Sequence, residues 1–242
     1  MSAAKYLQEA AALLKRIDPA PLQPAAERLA DTIVTGGSIF SFGASHSFMV
    51  TEELVYRAGG LMLINPIYPH GMNFSVRPLT MTSQLERLPG LGAELLAGSP
   101  ARPGDTLIIA SNSGRNTVTI DMALRARQRG ITTIAITALS YVGQVASRHP
   151  SGQGLADLCD IVLDNHVPYG DAAVQVGDFP QKVAPLSTIA GCAIANALVA
   201  ETVALLVARG FPPPVFMSGN LDGGDQYNAR LLEQHRQRIH YL

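Results

Sequence analysis

Five short runs, Ser38–Phe42, Leu61–Asn65, Thr106–Ser111, Thr132–Thr137 and Ile161–Asp164, constrain this chain more than any other feature. Most are continuous in apolar or β-branched residues and lack polar alternation. A strand with one wet face alternates, whereas a strand covered by helices on both faces does not. Helical patterns at Phe48–Arg57, at Asn116–Arg129 before Gly130, and at Leu139–Arg148 lie between the runs. Strand, helix, strand with short connections requires crossovers, and crossovers make a parallel sheet. The expected fold class is α/β, a three-layer α/β/α doubly wound sandwich on a five-stranded parallel sheet in flavodoxin-like order.

Two helices precede the sheet. Tyr6, Leu7, Ala10, Leu13, Leu14 and Ile17 recur at helical spacing; a second helix runs from Pro24 to the stop at Gly36-Gly37, with Asp18-Pro19 as the breaker between them. Residues 1–35 are therefore expected to pack on the core and at a dimer interface, and 36–210 to form the ligand-binding domain. After the stiff Phe211-Pro212-Pro213-Pro214, residues 211–242 are expected to form a tail that can wrap a neighbouring subunit.

Of the 242 residues, 47% are hydrophobic and 15% charged, enough for one large core. A formal net charge of −1 supplies no basic field, which argues against nucleic acid and anionic membrane as partners and for a small ligand. The two cysteines, Cys159 and Cys192, lie in apolar stretches, and neither they nor the scattered histidines have metal-ligand spacing. No metal and no cofactor are expected. Met1–Ile17 is interrupted by Lys5, Glu9 and Lys15, unlike a secretory signal; the expected location is the cytoplasm. Leu186–Ala208 is long and apolar enough to span a bilayer, but Glu201 at its centre would cost roughly 2–4 kcal/mol there. A helix buried at a subunit interface accounts for it, so a homodimer or higher oligomer is expected.

In doubly wound sheets ligands sit beyond the carboxyl ends of the strands, where the winding reverses. The loop Gly43-Ala44-Ser45-His46-Ser47 follows the first strand and opens a helix; Ser111-Asn112-Ser113-Gly114-Arg115-Asn116-Thr117 follows the third. Hydroxyls and free backbone N–H groups at a helix start favour an anion, phosphate above all. Taken alone, each loop could equally be a turn glycine with capping serines. Two such loops at one switch point make a stronger case.

Gly-x-Ser-x-Ser after strand one and Ser-x-Ser-Gly-x-x-Thr after strand three resemble the phosphosugar-binding pattern of the sugar isomerase (SIS) domain family over roughly residues 30 to 210. The run from Gly43 to Gly60, with Gln181-Lys182-Val183 and Gly223-Gly224-Asp225, is similar to a bacterial subfamily with a single such domain. The resemblance implies that Ser45, Ser47, Ser111, Ser113 and Thr117 hold a sugar phosphate; Asn112 and Asn116 belong to the same loop. Glu53-Leu54 is similar to the segment of phosphoheptose isomerases in which a Glu abstracts the proton beside the sugar carbonyl. Either Glu52 or Glu53 can therefore be the base, or can instead pair with Arg57. Glu86, in Ser83-Gln84-Leu85-Glu86-Arg87-Leu88, is the candidate second carboxylate, by similarity to the paired acids of N-acetylmuramic acid 6-phosphate etherases. His46 and His70 are candidate donors to the sugar, and Lys182 a candidate for balancing substrate charge.

Phosphoheptose isomerases also use a His on the last long helix, and Leu186–Ala208 contains neither His nor Lys. The leading expectation is thus an etherase-like lyase or dehydratase. It would act on an N-acetylated amino-sugar 6-phosphate such as N-acetylglucosamine 6-phosphate, because an amide at C2 blocks aldose–ketose exchange. The alternatives are an aldose–ketose isomerase and a non-catalytic phosphosugar sensor.

Overall fold

Alternate residues of each apolar run go to opposite faces of one sheet in the computed structural model, which describes residues 1–242. Ile39, Ile108 and Ile134 enter one core cluster with α2 (Leu22–Val34) and α8 (Ser187–Ala208). Phe40, Phe42, Leu107 and Ile109 enter the other, with α5 (Leu91–Ala97) and α6 (Thr117–Gln128). Period-two geometry thus turns a continuous apolar sequence into two cores, one per face.

The strands are β1 (Ile39–Gly43), β2 (Ile64–Pro66), β3 (Thr106–Ala110), β4 (Thr132–Thr137) and β5 (Ile161–Asp164), all parallel in the order β2-β1-β3-β4-β5. The five-stranded three-layer architecture matches the sequence expectation. In register, Gly43 lies opposite Ala110, so the chain leaves β1 and β3 side by side. Winding reverses between these two strands, and the two Ser-rich loops emerge there.

Other elements depart from the pattern. Leu139–Arg148 is not a helix: only the turn Leu139–Tyr141 is helical, and the chain then runs irregularly to a short α7 (Leu155–Leu158). Gly143 at φ +77 leaves the helical region, and Val142 is exposed rather than packed. The segment is instead tied to the start of α6, through Arg148 N–H donating to the Arg115 carbonyl (2.9 Å) and Leu155 N–H to that of Gly114 (2.8 Å). Helix α4 (Thr80–Leu85), α5 and an antiparallel hairpin of β6 (Ala172–Val174) and β7 (Val183–Pro185) have no counterpart in the sequence reading. Each is three to seven residues long, too short for periodicity to register.

Helix α8, with a mean hydropathy of 1.9, is the one helix long and apolar enough to cross a membrane. It packs Ile194, Leu198 and Leu206 into the core against α2, while Ile189 and Val207 remain exposed. The tail carries α9 (Gly224–Gln234), and its last residues pack on this chain's own sheet. Asn65 Nδ2 donates to the Arg238 carbonyl (3.0 Å), His240 N–H donates to Asn65 Oδ1 (2.7 Å), and the Tyr241 hydroxyl donates to the Met62 carbonyl (2.8 Å).

Burial pushes the Cys159 thiol from 9.0 up to about 12. Because the thiolate is the nucleophile, Cys159 is expected to resist iodoacetamide at pH 8 in the native protein and to react once urea unfolds it. Rapid native labelling, read by peptide mass spectrometry, would contradict this. The folded thiol ionises later than the unfolded one, so its contribution to stability is complete below pH 9 and falls as pH rises from there towards 12.

Candidate functional site

The backbone of the first loop turns tightly. Ser45 adopts a left-handed φ of 52 and donates its N–H to the Met72 carbonyl (2.7 Å); Ser47 N–H donates to Ala44 O (3.0 Å). A non-glycine residue in that region is held by its surroundings and is common at binding sites. Here it directs Ser45, His46 and Ser47 to the wall of a cavity of about 340 Å³, just before α3 (Phe48–Leu54). The exposed His46 ring packs edge-on against Phe74, with centroids 4.5 Å apart.

Opposite stand Ser111, Asn112, Ser113 and Asn116 of the second loop. Asn112 is fixed by Asn165, whose Nδ2 donates to its Oδ1 (3.0 Å). The first-turn amides of α6 begin here and lack intrahelical partners; Val118 N–H donates to the Glu86 carbonyl (3.0 Å). The Glu86 side chain joins the two loops, because one carboxylate oxygen accepts from the Ser45 hydroxyl and the other from Asn116 Nδ2. Arg148 Nη1 in turn donates to Asn116 Oδ1 (2.7 Å). A carboxylate is thus fixed between two hydroxyl-bearing loops on the cavity wall.

The third wall comes from β7 and α8, which sequence reasoning did not connect to the site. Asp171, Pro185, Ser187 and Thr188 all line the cavity. Asp171, at φ +67, accepts from the Leu186 and Ser187 amides (2.9 and 2.8 Å) and from the Ser187 hydroxyl (2.7 Å). Its charge is committed to the positive end of α8. No local sequence signal marks this acid, because Asp171 precedes the helix start at Ser187 by 16 positions, too far for a cap motif.

Other candidates lie elsewhere. The Thr117 side chain is buried and donates to the Arg148 carbonyl (3.3 Å), so it fastens the loop and does not line the cavity. Glu52 is exposed. Glu53 faces α8, paired with Arg57 and accepting from Asn196 Nδ2 (2.7 Å). Because α3 packs its inner side on α8, this carboxylate lies against α8 and outside the cavity. His70 is exposed in the loop after β2 and outside the cavity. Lys182 lines a separate groove with Lys5 and Arg16, between α1 (Ser2–Arg16) and the hairpin.

A model of the SIS domain family matches residues 5–138, which include both loops and Glu86. The chain belongs to the SIS domain family. A UPF0309 protein of Shouchella clausii is 48% identical over 91% of this chain and 90% of its own length. One from Streptomyces coelicolor is 43% identical over 99% and 97%. Among solved structures, a phosphoheptose isomerase from Neisseria gonorrhoeae superposes with a TM-score of 0.52 at 16% identity, over 85% of this chain and 97% of that one. The Vibrio vulnificus NanR protein complexed with ManNAc-6P superposes with a TM-score of 0.50 at 17% identity, over 96% and 67%. These last two likenesses concern the SIS fold alone. The walls contributed by β7 and α8 lie outside the matched segment.

Proposed function

We propose that this SIS domain binds a sugar phosphate between its two hydroxyl-bearing loops and that Glu86 moves a proton at the sugar carbon next to the carbonyl. The observation that carries the reading is the Glu86 carboxylate, held by Ser45 and Asn116 at the edge of a cavity rich in hydroxyls and helix-start amides. Such donors hold a phosphate by hydrogen bonds without lysine, and the ManNAc-6P complex of the NanR protein is support from a shared fold.

On an N-acetylated amino-sugar 6-phosphate in its open form, Glu86 takes the C2 proton, the C2–C3 double bond forms, and the C3–O bond breaks with its electron pair on oxygen. His46, on the same wall, supplies the proton that completes water or an alcohol. Incubating the protein with N-acetylglucosamine 6-phosphate and following an unsaturated product by NMR tests this; bound substrate that never reacts would refute the elimination.

A second reading, aldose–ketose isomerisation, is favoured by one feature. The other cavity carboxylate, Asp171, is committed to the start of α8, which leaves Glu86 to shuttle a proton alone between C1 and C2. Solvent deuterium entering at C1 or C2 without loss of water distinguishes it.

For either chemistry Ser113→Ala removes one donor to the charged phosphate. Affinity should fall by about 10–100-fold, the equivalent of a ~1.5–3 kcal/mol charged hydrogen bond. Thermal shift checks it, since a ligand at 100 times its Kd adds about 2.7 kcal/mol. Free sugars should produce no shift, and an unweakened Ser113→Ala would move the anion site elsewhere.

A further inference from the structure

Behind the second loop lies another cavity, of about 160 Å³, closed by the irregular segment that follows β4. Ser113, Arg115, Thr137, Tyr141, Ser147 and Asp157 contribute to its wall. Ser113 belongs to both cavities, so the two adjoin across a single side chain. The volume admits a small charged group such as a phosphoryl or a carboxylate.

Its charged lining residues are Arg115 and Asp157. Arg115 Nε is buried and has no hydrogen-bond partner in the protein, an uncommon condition for a native donor. Arg148 is tied to the Arg115 carbonyl through its backbone N–H (2.9 Å). Burial, and then the neighbouring Arg115 and Arg87, lower the Arg148 pKa, with Glu86 opposing. Arg115 takes part in none of the arginine ion pairs of this chain, which involve Arg57, Arg209 and Arg236. Asp157 is occupied locally, its Oδ2 accepting from Gly154 N–H (2.7 Å) at the start of α7. A fork of guanidinium N–H groups is matched to a carboxylate or a phosphoryl.

We propose that the ligand carries a second anionic group, a carboxylate or a phosphoryl, which Arg115 holds in this adjoining cavity while the sugar phosphate lies between the Ser-rich loops. The proposal rests on the phosphosugar reading and adds a preference to it: sugars with two anionic ends bind more tightly than those, such as N-acetylglucosamine 6-phosphate, with one.

Isothermal titration of the full chain with glucose 6-phosphate, 6-phosphogluconate and glucose 1,6-bisphosphate tests it. At least one doubly anionic ligand should bind about tenfold or more tightly than glucose 6-phosphate; which one does tells carboxylate from phosphoryl. Arg115→Met should collapse that preference to below about threefold, and Arg115→Lys should keep part of it. If Arg115→Met fails to fold, the wild-type preference must shrink with added salt. Equal affinity for all three ligands, or an Arg115→Met variant that keeps its preference or loses glucose 6-phosphate as well, overturns the second site. If none of the three binds, the phosphosugar reading itself has failed.

Discussion

Glu86→Gln is expected to lower turnover of N-acetylglucosamine 6-phosphate by about 10²–10⁴-fold, the usual contribution of a positioned general acid or base. Glutamine keeps the size of the side chain and can still accept from the Ser45 hydroxyl. Its amide nitrogen cannot accept from Asn116 Nδ2 as the carboxylate does. Ligand affinity should therefore hold to within about tenfold, ~1.4 kcal/mol, while the proton-transfer step is lost. Exchange of the C2 proton for deuterium, followed by NMR, separates the two effects. An unimpaired variant would remove Glu86 from the chemistry. A wild type that binds the sugar phosphate yet never exchanges that proton would make the protein a sensor, with Glu86 only a ligand contact.

Gly43→Ala should be the most damaging single methyl group near the site. A Cβ at residue 43 would stand 2.2 Å from the Ser47 carbonyl oxygen and 2.8 Å from the Phe48 nitrogen. These are backbone atoms at the start of α3, so no rotamer change can clear them. The loop carrying Ser45 and Ser47 must move off the end of β1. Overpacking of this kind costs about 2–3 kcal/mol, which for a chain of this size lowers Tm by ~5–12 °C. Sugar phosphate binding should be lost together with stability. Calorimetric melting of the variant with and without ligand measures both, and an unchanged Tm with unchanged binding would contradict the loop geometry.

The two loops were legible because their positions follow from local rules. A strand followed by glycine and serine, twice, at a winding reversal leaves few places for those hydroxyls. Which carboxylate joins them was not legible. Glu52, Glu53 and Glu86 are equivalent as sequence, since each lies near a helix close to the site. Their roles separate only when α3 docks on α8, which places Glu53 beside Asn196, 143 positions away, while α4 delivers Glu86 between Ser45 and Asn116. Lys182 and His70 lie outside the cavity for the same reason: a loop in the right neighbourhood of the chain can still face elsewhere. The helix expected at Leu139–Arg148 shows the opposite error, where a helical pattern was read in a segment that runs irregularly and leaves Val142 in solvent.

The sequence by itself determined the class of the main sheet, its five strands, the two-faced core and the pair of hydroxyl-bearing loops, because these depend on periodicities of two and 3.6 and on backbone chemistry within a few residues. Tertiary structure alone decided that Glu86 bridges the loops, that Asp171 secures α8 as the third wall and that Arg115 Nε is buried without a partner. Each of those contacts joins residues that no local periodicity relates. They are fixed by how whole elements pack, which a pattern along the chain does not encode.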